Sequence, residues 1–144
     1  MKEKFDVTVI GGGPAGLLLS QILMKANIDT IVLESRTRNY VLSRIRAGVI
    51  EHCSVELLKE SGVGERLLKE GSEHSGFIIS SDNNDFRIDL SLASKRSVYV
   101  YGQTEITFDL YNAQEKYGST ILHGVENILI QDISSNNPNV YFEI

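Results

Sequence analysis

The spacing of apolar positions changes repeatedly along this chain, and each change marks an element. FDVTVI, residues 5–10, is short, β-branched and almost wholly apolar. That pattern predicts a strand buried on both faces of a parallel sheet. Gly11, Gly12 and Gly13 interrupt it. Leu17, Leu18, Ile22 and Ala26 then recur at three- and four-residue steps and predict a helix that stops near Asn27. TIVLE, residues 30–34, predicts a second buried strand that ends in a carboxylate. Strand, glycine turn, helix and strand within about 30 residues make a βαβ unit.

YVLSRIRAGVI, residues 40–50, alternates charge with apolar residues and fits neither a basic surface run nor a helix face. Two short helices follow, one over 51–60 ending near Gly62 and one over 65–70 ending at Gly71. Val55, Leu58, Leu67 and Leu68 are expected to point inward. GFIIS and FRIDL flank the turn-rich SDNND and predict a hairpin. SVYVY reads as a strand, and 104–117 as a helix with Ile106, Leu110 and Ala113 on one face. STILH, VENILIQDI and NVYFEI read as strands. The expected organisation is a βαβ and helical segment over 1–72, strands of a second sheet over 73–100, and a return to the first domain over 101–144. Ile144 falls within a strand pattern, so the natural chain is expected to continue.

Composition narrows the classes. With 144 residues, 42% of them hydrophobic and 23% charged, the chain can bury a real core. Its net charge of −5 argues against a nucleic-acid partner. Cys53 is the sole cysteine, which rules out a disulfide framework and suits a reducing cytoplasm. It is read as a helix-packing residue. His52, His74 and His123 lack ligand spacing, so no metal is expected. Glu3 and Asp6 interrupt the N-terminal basic region and the Gly-Gly-Gly-Pro run breaks the apolar stretch, so neither a targeting segment nor a membrane partner is expected.

Gly11, Gly13 and Gly16 form GxGxxG between the first strand and the helix. The first glycine allows a tight turn, the second a close approach of backbone to a pyrophosphate, and the third close helix–strand packing. The helix N-terminus offers free N–H groups to phosphates. Glu34 lies where a carboxylate can accept ribose hydroxyls, and it would repel the 2′-phosphate of NADP from this groove. A Rossmann-like, dinucleotide-binding α/β fold follows. The motif alone does not separate FAD from NAD. A glycine turn that binds nothing is the bland alternative.

VIGGGPAGLLLSQIL, VLES, YVLSRIRAGVIEH and VYGQTEIT occur in that order. Together they resemble the single-component FAD-dependent aromatic hydroxylases, over the N-terminal third of such an enzyme. The resemblance implies an FAD-binding domain with the start of an additional β-rich sheet. It places Gly11, Gly13, Ala15 and Gly16 at the pyrophosphate and Glu34 on the FAD ribose. It makes Arg44, Ile45, Arg46, Ala47, Gly48 and Val49 a loop around the cofactor, with Arg46 at the phosphates, and it sets Gln103 at the ribityl chain. Arg36, Tyr40 and Arg44 would receive NADPH as a transient co-substrate. Arginine fits such roles because its charge is permanent and its donor fork matches phosphate. Flanking apolar residues are expected to bury that loop. The implied reaction is hydroxylation of 4-hydroxybenzoate to 3,4-dihydroxybenzoate with NADPH and oxygen, in the cytoplasm. The full-length protein admits a homodimer.

No catalytic side chain is expected within these 144 residues, which alone should not hydroxylate. Ser43 stands where the family commonly has glycine; if that position needs positive φ, serine would be strained. Ser35 replaces a frequent arginine, while Arg36 adds one next door. The alternatives are another FAD- or NAD-dependent oxidoreductase that shares only the glycine motif, and a nucleotide-binding module without chemistry.

Overall fold

A computed structural model describes residues 4–46 and 48–144. The elements run β1 (Val7–Ile10), α1 (Pro14–Lys25), β2 (Thr30–Glu34), α2 (Arg38–Ser43), β3 (Val49–Glu51), α3 (His52–Glu60), α4 (Glu65–Glu70) and β4 (Ser72–His74). Then come β5 (Gly76–Ser81), β6 (Asn84–Asp89), α5 (Leu90–Ser94), β7 (Val98–Val100), α6 (Gln103–Tyr117), β8 (Thr120–His123), β9 (Glu126–Gln131) and β10 (Asn139–Glu143). Two compact units result: residues 1–44 with 110–144, and residues 45–109.

The first unit is built on a parallel sheet of order β1-β2-β8, in register Val9↔Val32 and Val32↔Ile121. Every residue of the central strand β2 is buried, as its place between two parallel neighbours requires. Because side chains alternate along a strand, Ile31 and Leu33 share one face, and Thr30, Val32 and Glu34 the other. Ile31, Leu33 and Val125 make a core cluster against which Phe5, Leu122, Ile128, Val140 and Phe142 pack, several of them from the β9–β10 antiparallel pair.

Helix α1 presents only part of the face expected of it: Leu17 is buried and Leu18 half-buried. Ile22 and Ala26 are exposed; Leu17, Ser20 and Gln21 are the buried positions. Two polar side chains go inside because Gln114 of α6 meets them there. Its amide donates to the Leu17 carbonyl (3.1 Å) and to Gln21 Oε1 (3.4 Å), and accepts from the Ser20 hydroxyl (3.2 Å). Buried polar groups are tolerated when paired. Of the expected Ile106–Leu110–Ala113 stripe of α6, Leu110 is fully buried, while Thr107, Tyr111 and Gln114 are the other buried positions and Ile106 and Ala113 are half-buried.

The second unit holds a three-stranded antiparallel sheet of order β3-β7-β4, helices α3 and α4, and the β5–β6 hairpin. The hairpin turns through Asp82 and Asn83, both at positive φ (50° and 63°), the two-residue geometry that matches strand twist. Ile50, Val55, Leu58, Val63, Leu67 and Tyr101 are buried in this unit. Leu68, expected inside, is 46% exposed, because α4 has one short turn to bury and Leu67 takes it. Cys53 is also exposed rather than packed, with Sγ 3.9 Å from Glu51 Oε2. Among the described residues no helix is long and apolar enough to cross a membrane.

Candidate dinucleotide-binding site

The glycine turn joins β1 to α1, and its glycines have separate reasons. Gly11 has φ +109°, a region other residues rarely adopt. A Cβ on Gly16 would overlap the Gly11 carbonyl oxygen and crowd Val9, so Gly16 is required by the protein's own packing. A Cβ on Gly13 would meet nothing within 4 Å. The space in front of Gly13 is therefore not used by the fold; it is a cradle that a side chain would fill. Gly13 is also the N-cap of α1, with no side-chain cap and no acid in the first turn. The 12-residue helix thus keeps amide donors and the positive end of its dipole for an anion.

Glu34 ends β2 and is buried. Its Oε2 accepts from the Gly12 amide (2.7 Å) and its Oε1 from the Arg36 amide (2.8 Å) and the Ser35 hydroxyl (3.4 Å). The carboxylate therefore clamps the glycine turn to the strand end, with acceptor capacity left on Oε2. Gly12 was missed by the sequence reasoning. Any Cβ there would lie 2.9 Å from Glu34 Cβ, so the middle glycine makes room for the acid. The run of three glycines was the available signal.

Behind the turn lies a pair that no motif announced. Tyr111 is fully buried and its hydroxyl is 3.0 Å from His123 Nε2, with the two rings stacked at 5.7 Å. The same hydroxyl reaches the Gly12 carbonyl at 3.5 Å. Burial, with the nearby Glu34 charge, pushes the Tyr111 pKa up to about 12, so the hydroxyl keeps its proton. Burial lowers the His123 pKa, against a weaker upward pull from Glu34, which favours neutral imidazole. Arg38 covers the outer face of Tyr111 (5.1 Å to the ring) and pairs with Glu115 at 2.9 Å.

The segment after Glu34 forms a helix, contrary to its sequence reading. Thr37 caps α2 by accepting from the Tyr40 amide (3.2 Å). Arg36, just before the cap, and Arg44, at the C-terminal cap, both approach the ring of Tyr40 in the helix between them. The two guanidinium groups lie 5.3 and 5.4 Å from the Tyr40 ring centroid. Ser43 is not among the residues at positive φ; it closes α2 and donates to the Tyr40 carbonyl (2.9 Å). The serine fits without strain.

Ile45, Arg46, Gly48, Val49 and Gln103 fall in the second unit, while Gly11, Gly13, Ala15, Gly16, Glu34, Arg36, Tyr40 and Arg44 fall in the first. Ala47 lies outside the described residues. Two of the loop's described apolar residues are not buried as expected. Ile45 is 93% and Val49 63% exposed. Strand alternation turns Val49 out and Ile50 in, so Ile50 alone anchors the start of β3. Gly48 is held close: its carbonyl accepts from the Tyr101 amide (2.7 Å), and a Cβ on it would lie 2.7 Å from the Tyr101 carbonyl oxygen. Gln103 opens α6 and its carbonyl accepts from the Thr107 hydroxyl.

A parallel βαβ with an open glycine cradle at a helix N-terminus and an acid at the next strand end defines a dinucleotide-binding domain. The family profile described as "FAD binding domain" matches residues 4–143, and the chain belongs to that family. It is 46% identical, over 97% of its length, to p-hydroxybenzoate hydroxylase of Acinetobacter baylyi. It covers 35% of that protein, so the chain spans about a third of this relative's length. A more distant relative is pentachlorophenol 4-monooxygenase of Sphingobium chlorophenolicum, 24% identical over 81% of the chain and 23% of that protein. Among solved structures, p-nitrophenol 4-monooxygenase PnpA from Pseudomonas putida DLL-E4 superposes with a TM-score of 0.77. It is 24% identical and covers 92% of this chain and 35% of its own.

Proposed function

We propose that this chain is the FAD-binding N-terminal part of a flavoprotein monooxygenase that hydroxylates 4-hydroxybenzoate to 3,4-dihydroxybenzoate, with NADPH and oxygen as co-substrates. The observation that carries the reading is 46% identity to p-hydroxybenzoate hydroxylase across nearly the whole chain. The residues fit the cofactor. The Gly13 cradle and the α1 N-terminus suit a pyrophosphate, and Glu34 retains acceptor capacity for a ribose. FAD, when bound, supplies the redox chemistry, taking reducing equivalents from the nicotinamide and passing them to oxygen.

In this reading the chain's own residues bind and orient. Gly11, Gly13, Ala15 and Gly16 receive the pyrophosphate. Arg44, Ile45, Arg46, Gly48 and Val49, with Ala47 between them, line the cofactor, and Gln103 contacts its ribityl chain. Arg36, Tyr40 and Arg44 are the proposed NADPH platform: two permanent cations beside an aromatic ring suit a phosphate and a flat base. The domain boundaries 1–72, 73–100 and 101–144, a cytoplasmic location and a homodimer at full length belong to the same proposal.

The test is turnover by the full-length flavoprotein. With FAD, NADPH and 4-hydroxybenzoate, 3,4-dihydroxybenzoate should form in step with NADPH oxidation. NADPH oxidation that responds to other phenols, with no dihydroxybenzoate from this substrate, would assign a different aromatic.

A further inference from the structure

In the second unit, five charged or polar side chains form a clasp unrelated to the glycine motif. Arg66 of α4 donates to three carboxylates: Asp109 (2.6 Å), Glu105 (2.5 Å) and Glu70 (3.1 Å). Asp109 and Glu105 both lie on α6. Asp109 is 10% exposed, and its second oxygen accepts from the Tyr101 hydroxyl at 2.8 Å. The Arg66 guanidinium also lies 5.9 Å from the Tyr101 ring centroid. Burial, with the facing carboxylate, raises the Tyr101 pKa, so its hydroxyl remains a donor. Fixing a nearly buried tyrosine hydroxyl on a carboxylate that is itself paired to arginine gives one rigid geometry.

What Tyr101 touches on its other side gives the clasp a use. Its backbone amide donates to Gly48, and Gly48 is pressed against Tyr101 and Gly102 so closely that no Cβ fits. The arginine loop before β3 is thereby tied to the residue two positions ahead of Gln103. The amides of Glu105 and Ile106 donate to the Gly102 carbonyl at 3.0 and 3.2 Å, which fixes the first turn of α6 to the same point.

We propose that Arg66, Asp109 and Tyr101 are positioning residues for the flavin: they hold Gly48, just before β3, and Gln103 in one register, so that both segments meet the cofactor together. The proposal rests on the reading of those two segments as FAD contacts. None of the three residues needs to touch FAD. Their contribution is preorganisation, which lowers the ordering cost at binding.

The experiment uses the full-length flavoprotein and a double-mutant cycle between Tyr101→Phe and Arg46→Gln. FAD affinity is measured by titrating apoprotein, alongside the visible circular dichroism of the bound flavin. Tyr101→Phe should weaken FAD binding about tenfold, the scale of one hydrogen bond to a charged group, and should alter the flavin dichroism. In the Arg46→Gln background the same change should cost less than about twofold, because the loop it positions has lost its grip. Unchanged FAD affinity in Tyr101→Phe, or an equal loss in both backgrounds, overturns the clasp while leaving the loop reading intact. Unchanged affinity in Arg46→Gln alone overturns the loop reading, and the clasp with it. Should Tyr101→Phe fail to fold, Asp109→Asn enters the same cycle, since it weakens both bonds while keeping shape.

Discussion

At the scale of single residues, the glycines separate ligand from fold. Gly13 borders open space and Gly16 borders a backbone carbonyl. Gly13→Val should therefore fold normally and lose FAD, whereas Gly16→Val should cost at least about 3 kcal/mol of stability. Thermal unfolding and flavin content, measured on both variants, check this; normal flavin in folded Gly13→Val would move the phosphates elsewhere. His123 gives a pH signature. Its lowered pKa means the folded state resists a proton that the unfolded chain accepts below the ordinary histidine value. Stability tied to His123 is thus present at neutral pH and lost as pH falls through that value toward the folded pKa. The thermal midpoint should fall more steeply from pH 7 to pH 5 in wild type than in His123→Gln; parallel slopes would remove His123 from the account.

At the scale of elements, α2 and the β3–β7 pairing carry the proposed chemistry. Arg36 and Arg44 flank Tyr40, while Arg38 is engaged with Glu115 and Tyr111. Arg36→Ala and Arg44→Ala should each raise the KM for NADPH about tenfold, with flavin content unchanged for Arg36→Ala. Arg38→Ala should do much less to that KM, and steady-state kinetics distinguish the three. Gly48→Ala should push the arginine loop off Tyr101 and lower FAD affinity, read by apoprotein titration; an unaffected affinity would show that the loop tolerates the shift. The sequence announced α1, α3, α4, the hairpin and β8–β10 nearly to the residue, because each carries its own period and its own stop. Helix α2 was not legible. None of its residues is buried, so it carries no apolar stripe to read, and what forms it is the Thr37 cap. Strand β4 is equally mute: Ser72, Glu73 and His74 are all exposed, and pairing with β7 makes them a strand.

At the scale of the molecule, the described residues supply a nucleotide groove and a second, strand-rich unit, and no side chain is assigned to hold an aromatic acid. The 144-residue chain incubated with FAD, NADPH and 4-hydroxybenzoate should give no 3,4-dihydroxybenzoate; its detection by chromatography would contradict that division of labour. The site was legible in proportion to how local it is. GxGxxG and Glu34 were readable because turn, helix start and strand end are fixed by neighbours in sequence. The deeper role of Glu34, clamping Gly12 across 22 residues, was not.

The sequence by itself determined the order of strands and helices, the glycine turn and the acid at the end of β2, since apolar period and backbone freedom are local properties. The tertiary structure decided which polar residues went inside. Ser20 and Gln21 are buried because Gln114 meets them, Tyr111 because it stands between His123 and Gly12, and Asp109 is nearly buried because Arg66 and Tyr101 share it. Each of these depends on a partner supplied by another element of the same unit, and a hydrogen-bond partner, unlike a hydrophobic stripe, leaves no period in the sequence.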